Sequence, residues 1–217
     1  MTDDLSYFSV VRGELVRQLR EPLGRVLDVG CGTGAAHALL RQRGAGELVG
    51  IEIDPAAGAA AREVYDAVLI GAAEQAVDQL EGTFDTILCY DVLEHLVDPW
   101  QLVRRLHALA SQVSQLHVSV PNARHLSLAY DVYLRGTFGY TEWGHRDRTH
   151  LRWFTPADLE RGLRDSGWSP IGHSHTPMPR WRHVLGKATG GRSTQFLVWQ
   201  WQVLAERVYA RGETTGA

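Results

Sequence analysis

The chain has 217 residues, of which 44% are apolar and 22% charged, with a formal net charge of −3. That length supports a single domain with a sizeable core, and the weak negative charge gives no general attraction to nucleic acid or anionic membranes. Two cysteines exclude a disulfide framework, Met1-Thr2-Asp3-Asp4 lacks the basic and apolar regions of a signal peptide, and no apolar run reaches membrane-spanning length. A reduced, cytoplasmic protein is expected.

A leading helix is expected over Ser6 to Arg20, where Phe8, Val11, Leu15, Val16 and Leu19 recur at helical spacing; Glu21-Pro22-Leu23-Gly24 ends it. Strands and helices then alternate: strand 25–29, helix 34–43, strand 47–52, helix 55–63, strand 67–70, helix 73–80, strand 84–89, helix 99–109 and strand 113–120. Short connections in such an alternation predict an α/β fold, a parallel sheet with helices on both faces. Asp98-Pro99 reads as a helix start, with Asp as cap and Pro in the first turn.

After Pro121 the pattern breaks. Residues 122–154 crowd Tyr130, Tyr133, Phe138, Tyr140, Trp143, Trp153 and Phe154 together with three histidines and several arginines, interrupted by Gly136, Gly139 and Gly144. This insertion is expected to form an acceptor pocket and its lid. Thr155-Pro156 opens a further helix that Gly167 closes, and a strand over Trp168 to Ser174 follows. A Pro/Arg/Gly-rich loop runs from Thr176 to Arg192. A last strand from Phe196 to Ala205 is read with Leu197, Trp199, Trp201 and Val203 on one face and Gln200 and Gln202 on a more polar one.

The chemistry is densest in Val26-Leu27-Asp28-Val29-Gly30-Cys31-Gly32-Thr33-Gly34, a buried strand running into a glycine-dense turn and a helix. Glycine there admits φ > 0 and lets a ligand lie against the main chain. The spacing is G-x-G-x-G, not the G-x-G-x-x-G of dinucleotide sites, and Asp28 would repel a pyrophosphate. An acid at that place suits a ligand carrying an ammonium, a sulfonium and an adenosine. Glu52 lies 22 positions after Gly30 at the end of a second apolar strand, near the ~20-residue spacing at which a carboxylate grips a ribose diol. Ile53 beside it offers an apolar wall for adenine.

Together with Asp91-Val92-Leu93-Glu94-His95-Leu96 after the fourth strand, these residues resemble the class I S-adenosylmethionine-dependent methyltransferases. The resemblance covers residues 20–206. It implies a Rossmann-like, seven-stranded, mostly parallel sheet with the last strand antiparallel, forming one methyltransferase domain over 1–217, with S-adenosylmethionine as cofactor. It assigns the methionine end to Asp28, Gly30, Cys31, Gly32, Thr33, Gly34, Asp91, Val92 and His95, and the ribose to Glu52. At the end of the third strand Gly71-Ala72-Ala73-Glu74 departs from the family, which often has an acid or amide for the adenine amino group; Ala72 and Ala73 main chain, or Glu74, would have to serve. Ser119-Val120-Pro121-Asn122 and Gly144 to Thr155 are similar to a subgroup of bacterial methyltransferases that tailor sugars, glycans and small natural products.

For the acceptor side, His150, flanked by Asp147 and Arg148, is the first candidate for a general base, with His145 second; a neutral imidazole can take a hydroxyl proton as the methyl arrives. Asn122, His125, Tyr140, Arg148, Arg152 and Trp153 are the candidate acceptor contacts, the two arginines as a clamp for a carboxylate or phosphate. The paired acids and asparagine that catechol-type enzymes use for magnesium are missing, so no metal is expected. Transfer to an oxygen of a small molecule is the leading expectation. N-methylation of an amine or amino sugar, and a cofactor-binding module without activity, are the alternatives. Arg180, Arg182, Lys187 and Arg192 read as a solvated flap, not a nucleic-acid surface. The expected partners are the small-molecule acceptor and a second copy of the chain as a homodimer.

Overall fold

The computed structural model describes residues 13–190 and 192–208, so the part of the expected leading helix before Gly13 lies outside the described residues. Seven strands are formed: β1 (Gly24–Val29), β2 (Ala45–Glu52), β3 (Ala67–Ile70), β4 (Phe84–Tyr90), β5 (Ala110–Pro121), β6 (Trp168–His175) and β7 (Gln200–Arg207). They lie in one sheet in the order β3-β2-β1-β4-β5-β7-β6. β1 pairs in parallel with β2 and β4, β2 with β3, and β4 with β5; β7 runs antiparallel to both β5 and β6.

The helices are α1 (Gly13–Val16), α2 (His37–Gln42), α3 (Pro55–Ala61), α4 (Ala73–Ala76), α5 (Pro99–Ala108), α6 (Leu126–Ala129), α7 (Pro156–Asp165), α8 (Arg180–Ala188) and α9 (Thr194–Leu197). The strand alternation sends two apolar faces in opposite directions. Leu27, Val49, Ile87, Cys89, Val118 and Val203 meet Leu102, Leu106, Leu159, Leu163 and Trp168 of α5, α7 and the start of β6. Val26, Leu48, Leu88 and Val68 meet Val16, Leu19, Leu40 and Tyr65 on the other side. The helix starts follow the local chemistry. The Asp54 side chain accepts from Ala56 and Ala57 N–H, Asp98 from Gln101 N–H and Thr155 from Asp158 N–H, each ahead of a proline in the first turn.

Two expectations need correction. The segment read as a loop from Thr176 to Arg192 contains α8, because the polar-looking run from Arg180 to Ala188 holds no proline or internal breaker strong enough to stop a helix. The last strand starts at Gln200 rather than Phe196, and Leu197 belongs to α9. Gln200 and Gln202, read as the polar face of that strand, are buried. Gln202 Oε1 accepts from Gln18 Nε2 at 2.6 Å and Ser174 Oγ at 2.6 Å, so its buried oxygen is satisfied by neighbours distant in sequence.

Between β1 and β4 the strand order reverses, and the chain leaves both strands on opposite sides. This is the switch point at which a ligand crevice opens beyond the carboxyl ends of the strands. Behind the sheet α7 packs closely on α5. A Cβ at Gly162 would overlap the Trp100 ring, which itself sits edge-on to Phe154 with centroids 5.7 Å apart. Gly162→Ala is therefore expected to lower unfolding stability by about 1–3 kcal/mol through overpacking, measured by urea denaturation.

Candidate active site

The turn after β1 is built from left-handed glycines: φ is 77° at Gly30, 57° at Gly32 and 75° at Gly34. A Cβ on Gly30 would stand 2.6 Å from Val92 Cγ2, and one on Gly34 2.7 Å from Val64 Cγ2. The turn can therefore approach the loop after β4 only without side chains. Gly30 and Cys31 N–H donate to the Ile51 carbonyl at 2.8 and 3.1 Å, which fixes the turn to the end of β2. There Glu52 is buried, with Oε2 accepting from Gly32 N–H at 2.9 Å and Oε1 from Asp54 N–H at 2.8 Å. Each carboxylate oxygen has a second lone-pair direction, so these bonds orient the group and leave acceptor capacity for a diol. Ile53 next to it is exposed, and Gly71 N–H donates to the Glu52 carbonyl at 2.8 Å, bringing the Ala72–Glu74 start of α4 alongside.

Asp28 is buried too, and Tyr65 Oη–H donates to its Oδ2 at 2.7 Å. Burial pushes its carboxyl up to about 6; the tyrosine bond opposes the rise and the Glu52 charge adds to it. The charged neighbour acting on Asp28 is thus a second carboxylate. Two buried acids beside one glycine turn suit a cationic ligand and repel a pyrophosphate, and the Cβ-free cradle suits one lying flat on the main chain. The residues present fit S-adenosylmethionine.

Across the crevice, Asp91 adopts φ 54°, the one left-handed non-glycine among the described residues. Its Oδ1 accepts from Ser119 Oγ at 3.0 Å and Gln200 Nε2 at 2.7 Å. Such strain persists where surrounding bonds over-determine the backbone, and here β5 and β7 supply those bonds. The following turn, Leu93–His95, is clasped by the insertion: the Glu94 carbonyl accepts from Leu151 N–H at 2.7 Å and Arg152 N–H at 3.0 Å, and His95 Nδ1 lies 3.3 Å from the Thr149 carbonyl. His150 is thereby brought against His95, ring centroids 4.9 Å apart and edge to face. The Glu94 carboxylate joins them, with one ligand-type atom of each residue within 4.8 Å of the others. No metal is expected from the sequence; Glu94, His95 and His150 are brought together by the fold, which no local spacing reveals.

The insertion closes on itself where Asn122 pairs with Phe154 in an isolated bridge. It contains α6 and a π-helical turn, Tyr130–Leu134, and it is braced by Asp131 between Arg135 (3.1 Å) and Arg146 (2.9 Å). Several expected acceptor contacts are scaffold instead. Fully buried Asn122 donates to the Gln195 and Val198 carbonyls at 2.8 and 2.9 Å, and its Oδ1 takes Arg124 N–H at 2.9 Å. His125 caps α6 through Nδ1 and stacks on His145 at 4.7 Å. His145 Nε2 bonds the Trp199 carbonyl at 3.0 Å, which removes that nitrogen from the role of second-choice base. Trp153 Nε1 donates to the His145 carbonyl at 3.0 Å and its ring packs on Phe138 and exposed Tyr140. Arg148 pairs with Glu142, and Arg152 donates to the Leu151 and Val97 carbonyls, so both expected clamp arginines have partners within the chain. Tyr65, Ser119 and Gln200, which steady the two site acids, left no local signal in the sequence; only strand register brings them in.

Fold and site define an adenosyl-ligand α/β enzyme of the methyltransferase type. Residues 6–172 match a family described as a methyltransferase domain, and the chain belongs to that family. It is an S-adenosylmethionine-dependent methyltransferase. A protein of Pseudomonas paraeruginosa named ubiquinone biosynthesis O-methyltransferase is 31% identical over 173 residues, 71% of this chain and 70% of that one. Among solved structures, a SAM-dependent methyltransferase from Archaeoglobus fulgidus superposes with a TM-score of 0.66 at 19% identity, covering 93% of this chain and 97% of that one. Magnesium protoporphyrin IX methyltransferase from Synechocystis, solved with bound SAM, gives 0.57 at 20% identity, covering 94% and 79%. Among the described residues no helix is long and apolar enough to cross a membrane.

Burial pushes His117, His125 and His145 down to about 4, well below the ordinary 6.5. Between pH 6.5 and 4 the unfolded chain binds protons at these three sites that the folded chain does not, so folding stability falls as pH falls through that window. Asp28 works the other way between 3.8 and 6, as one group against three. The melting temperature should drop from pH 7 to pH 4.5, and His145→Gln should flatten the slope when both proteins are scanned calorimetrically.

Proposed function

We propose that this enzyme transfers the methyl group to a hydroxyl oxygen of a small molecule, and that the acceptor enters between the loop after β4 and the 122–154 insertion. The observation that carries this reading is the placement of His150 against His95 and Glu94, beside Asp91, at the carboxyl edge of the sheet. The name of the Pseudomonas relative supports oxygen as the receiving atom and a small acceptor. Tyr130, Tyr133, Leu134, Phe138, Tyr140 and Trp143 are exposed on the insertion, an apolar rim that suits a ring-bearing natural product or a sugar face better than a bare carboxylate. Internal pairing of Arg148 and Arg152 argues the same way.

When bound, S-adenosylmethionine supplies a methyl on a sulfonium whose positive charge vanishes on transfer. Asp28 and the turn from Gly30 through Cys31, Gly32 and Thr33 to Gly34 hold the amino-acid end, and Glu52 takes the ribose hydroxyls. Ile53, Ala72, Ala73 and Glu74 flank the adenine, while Asp91, Val92 and His95 border the methionine arm. His150 presents a lone pair where the acceptor hydroxyl must be activated. Desolvation lowers its pKa first, and the His95 ring adds to that; Asp147, the His145 main chain and Asp91 oppose it. The ring therefore stays neutral at pH 7. Positioning on the methyl–sulfur axis and exclusion of water do the rest. Reduced, buried Cys31 and Cys89 suit a cytoplasmic enzyme, and the homodimer we propose is expected to elute from gel filtration at twice the chain mass.

Four measurements check this. Glu52→Ala should weaken S-adenosylhomocysteine binding more than tenfold, through loss of roughly 1.5–3 kcal/mol of charged hydrogen bonding, in a calorimetric titration. Cofactor affinity should fall as pH drops through about 6, where Asp28 becomes neutral, and Asp28→Asn should show weak, pH-independent binding. His150→Ala should cut turnover by about 10²–10⁴ while cofactor affinity stays within a few-fold. Mass spectrometry of hydroxyl-bearing acceptors shows the added methyl. Methylation confined to amines would overturn the oxygen assignment.

A further inference from the structure

We infer that Ala72 sets a loose cofactor specificity: the adenine is held beside it by apolar contact with its 6-amino group unread, so the enzyme binds cofactors that carry hydrogen or an alkylamino group at that position. The inference rests on the assignment of the ribose to Glu52 above and deepens it by saying which part of the cofactor is not recognised.

The sheet order fixes where the base lies. β1, β2 and β3 are neighbours, and at their carboxyl ends stand the glycine turn with Asp28, then Glu52, then Ala72. Adjacent strands are about 4.8 Å apart. A ligand with its amino-acid end on the turn and its ribose on Glu52 therefore carries its base one strand further, to the end of β3. Register brings that end to the ribose acid. Glu52 stands opposite Ile70, and Gly71 N–H donates to the Glu52 carbonyl at 2.8 Å, so Ala72 starts beside it. β3 is also the edge of the sheet, and the surroundings are open. A Cβ on Gly71 would meet nothing within 4 Å, and Ile53 is 69% exposed.

An amino group is read by a hydrogen-bond acceptor, and the acceptors along this edge are committed to the chain itself. Ala72 ends in a methyl. Its carbonyl accepts from Gln75 N–H at 3.0 Å and Ala76 N–H at 2.9 Å, which uses both lone pairs. Beyond Ile53, Asp54 Oδ1 accepts from Ala56 and Ala57 N–H at 2.9 and 2.8 Å. The Glu74 carbonyl accepts from Arg105 Nη1. Ile53, Ala72 and Ala73 thus offer the base apolar surface, while the polar groups around them close the first turns of α3 and α4.

The size of the effect follows from what is lost. A site that hydrogen-bonds a ligand group rejects the analogue lacking it by about 10⁴–10⁵, because its own polar atom is left unpaired. Here removal of the 6-amino group leaves no buried acceptor without a partner, and an added methyl points into open space at the sheet edge.

The test titrates the full chain calorimetrically with S-adenosylhomocysteine, with its analogue bearing hydrogen in place of the 6-amino group, and with its N6-methyl analogue. The three dissociation constants should agree within about tenfold. Ala72→Asp places a carboxylate at the base edge and should bind S-adenosylhomocysteine more than about tenfold tighter than the 6-hydrogen analogue. Ala72→Asn supplies a neutral acceptor for the same comparison should the aspartate disturb folding, which the near-ultraviolet spectrum reports. A penalty above about tenfold for either analogue in the wild-type chain overturns the inference; the 6-hydrogen analogue thereby tests the Glu74 carboxylate as a reader too. Absence of a preference for the 6-amino ligand in a folded Ala72 variant overturns the placement of the base and the inference with it. Such results alongside weakened binding by Glu52→Ala leave the ribose assignment standing. Undiminished binding by Glu52→Ala overturns that assignment, and the inference falls with it.

Discussion

The turn after β1 and the loop after β4 must come so close that no side chain fits between them. Val92 occupies the space a Cβ on Gly30 would need, so glycine at position 30 is a condition for the two loops to meet. Everything that follows depends on that approach. It sets the buried Glu52 carboxylate under Gly32 N–H, keeps Asp28 beside it, and faces both acids with Asp91 in its left-handed conformation. The parallel sheet supplies the crevice; the missing side chains keep its floor open.

A second feature is the way polar groups are spent inside the sheet. β7 inserts antiparallel between β5 and β6 and brings Gln200 to Asp91 and Gln202 to Gln18 and Ser174. These glutamines do in the interior what apolar residues do elsewhere in the strand, filling space, but they also fix a strained acid at the site. The side-chain oxygen of Gln202 and the amide nitrogen of Gln200 each find partners distant in sequence. In the insertion Asn122 and His145 bond main-chain carbonyls and the His125 ring stacks on His145, while His150 is the histidine packed against His95 of the β4 loop.

Local chemistry was readable, and tertiary assignment was not. Strands 25–29, 67–70 and 84–89, the caps at Asp98 and Thr155, the glycine turn and Glu52 all follow from residues within a few positions of one another, and each lies where the pattern predicts. Helix α8 was hidden because arginine and lysine read as loop in a stretch whose helical context comes from neighbouring segments. Gln200 and Gln202 looked solvent-facing because alternation reports polarity and cannot report a buried partner. The histidines of the insertion were told apart only by contacts: nothing near His145 in sequence announces the Trp199 carbonyl, and nothing near His150 announces Glu94 and His95. Residue type named the candidates, and topology chose among them.

A structure of the chain with S-adenosylhomocysteine tests the central claim most directly, because that claim concerns where one ligand lies relative to named side chains. The account predicts the ribose hydroxyls on Glu52, the amino-acid end over Gly30 to Gly34 beside Asp28, and the sulfur directed across the crevice toward His150. A ligand whose ribose avoids Glu52, or whose sulfur turns away from the Glu94–His95–His150 side, would contradict it.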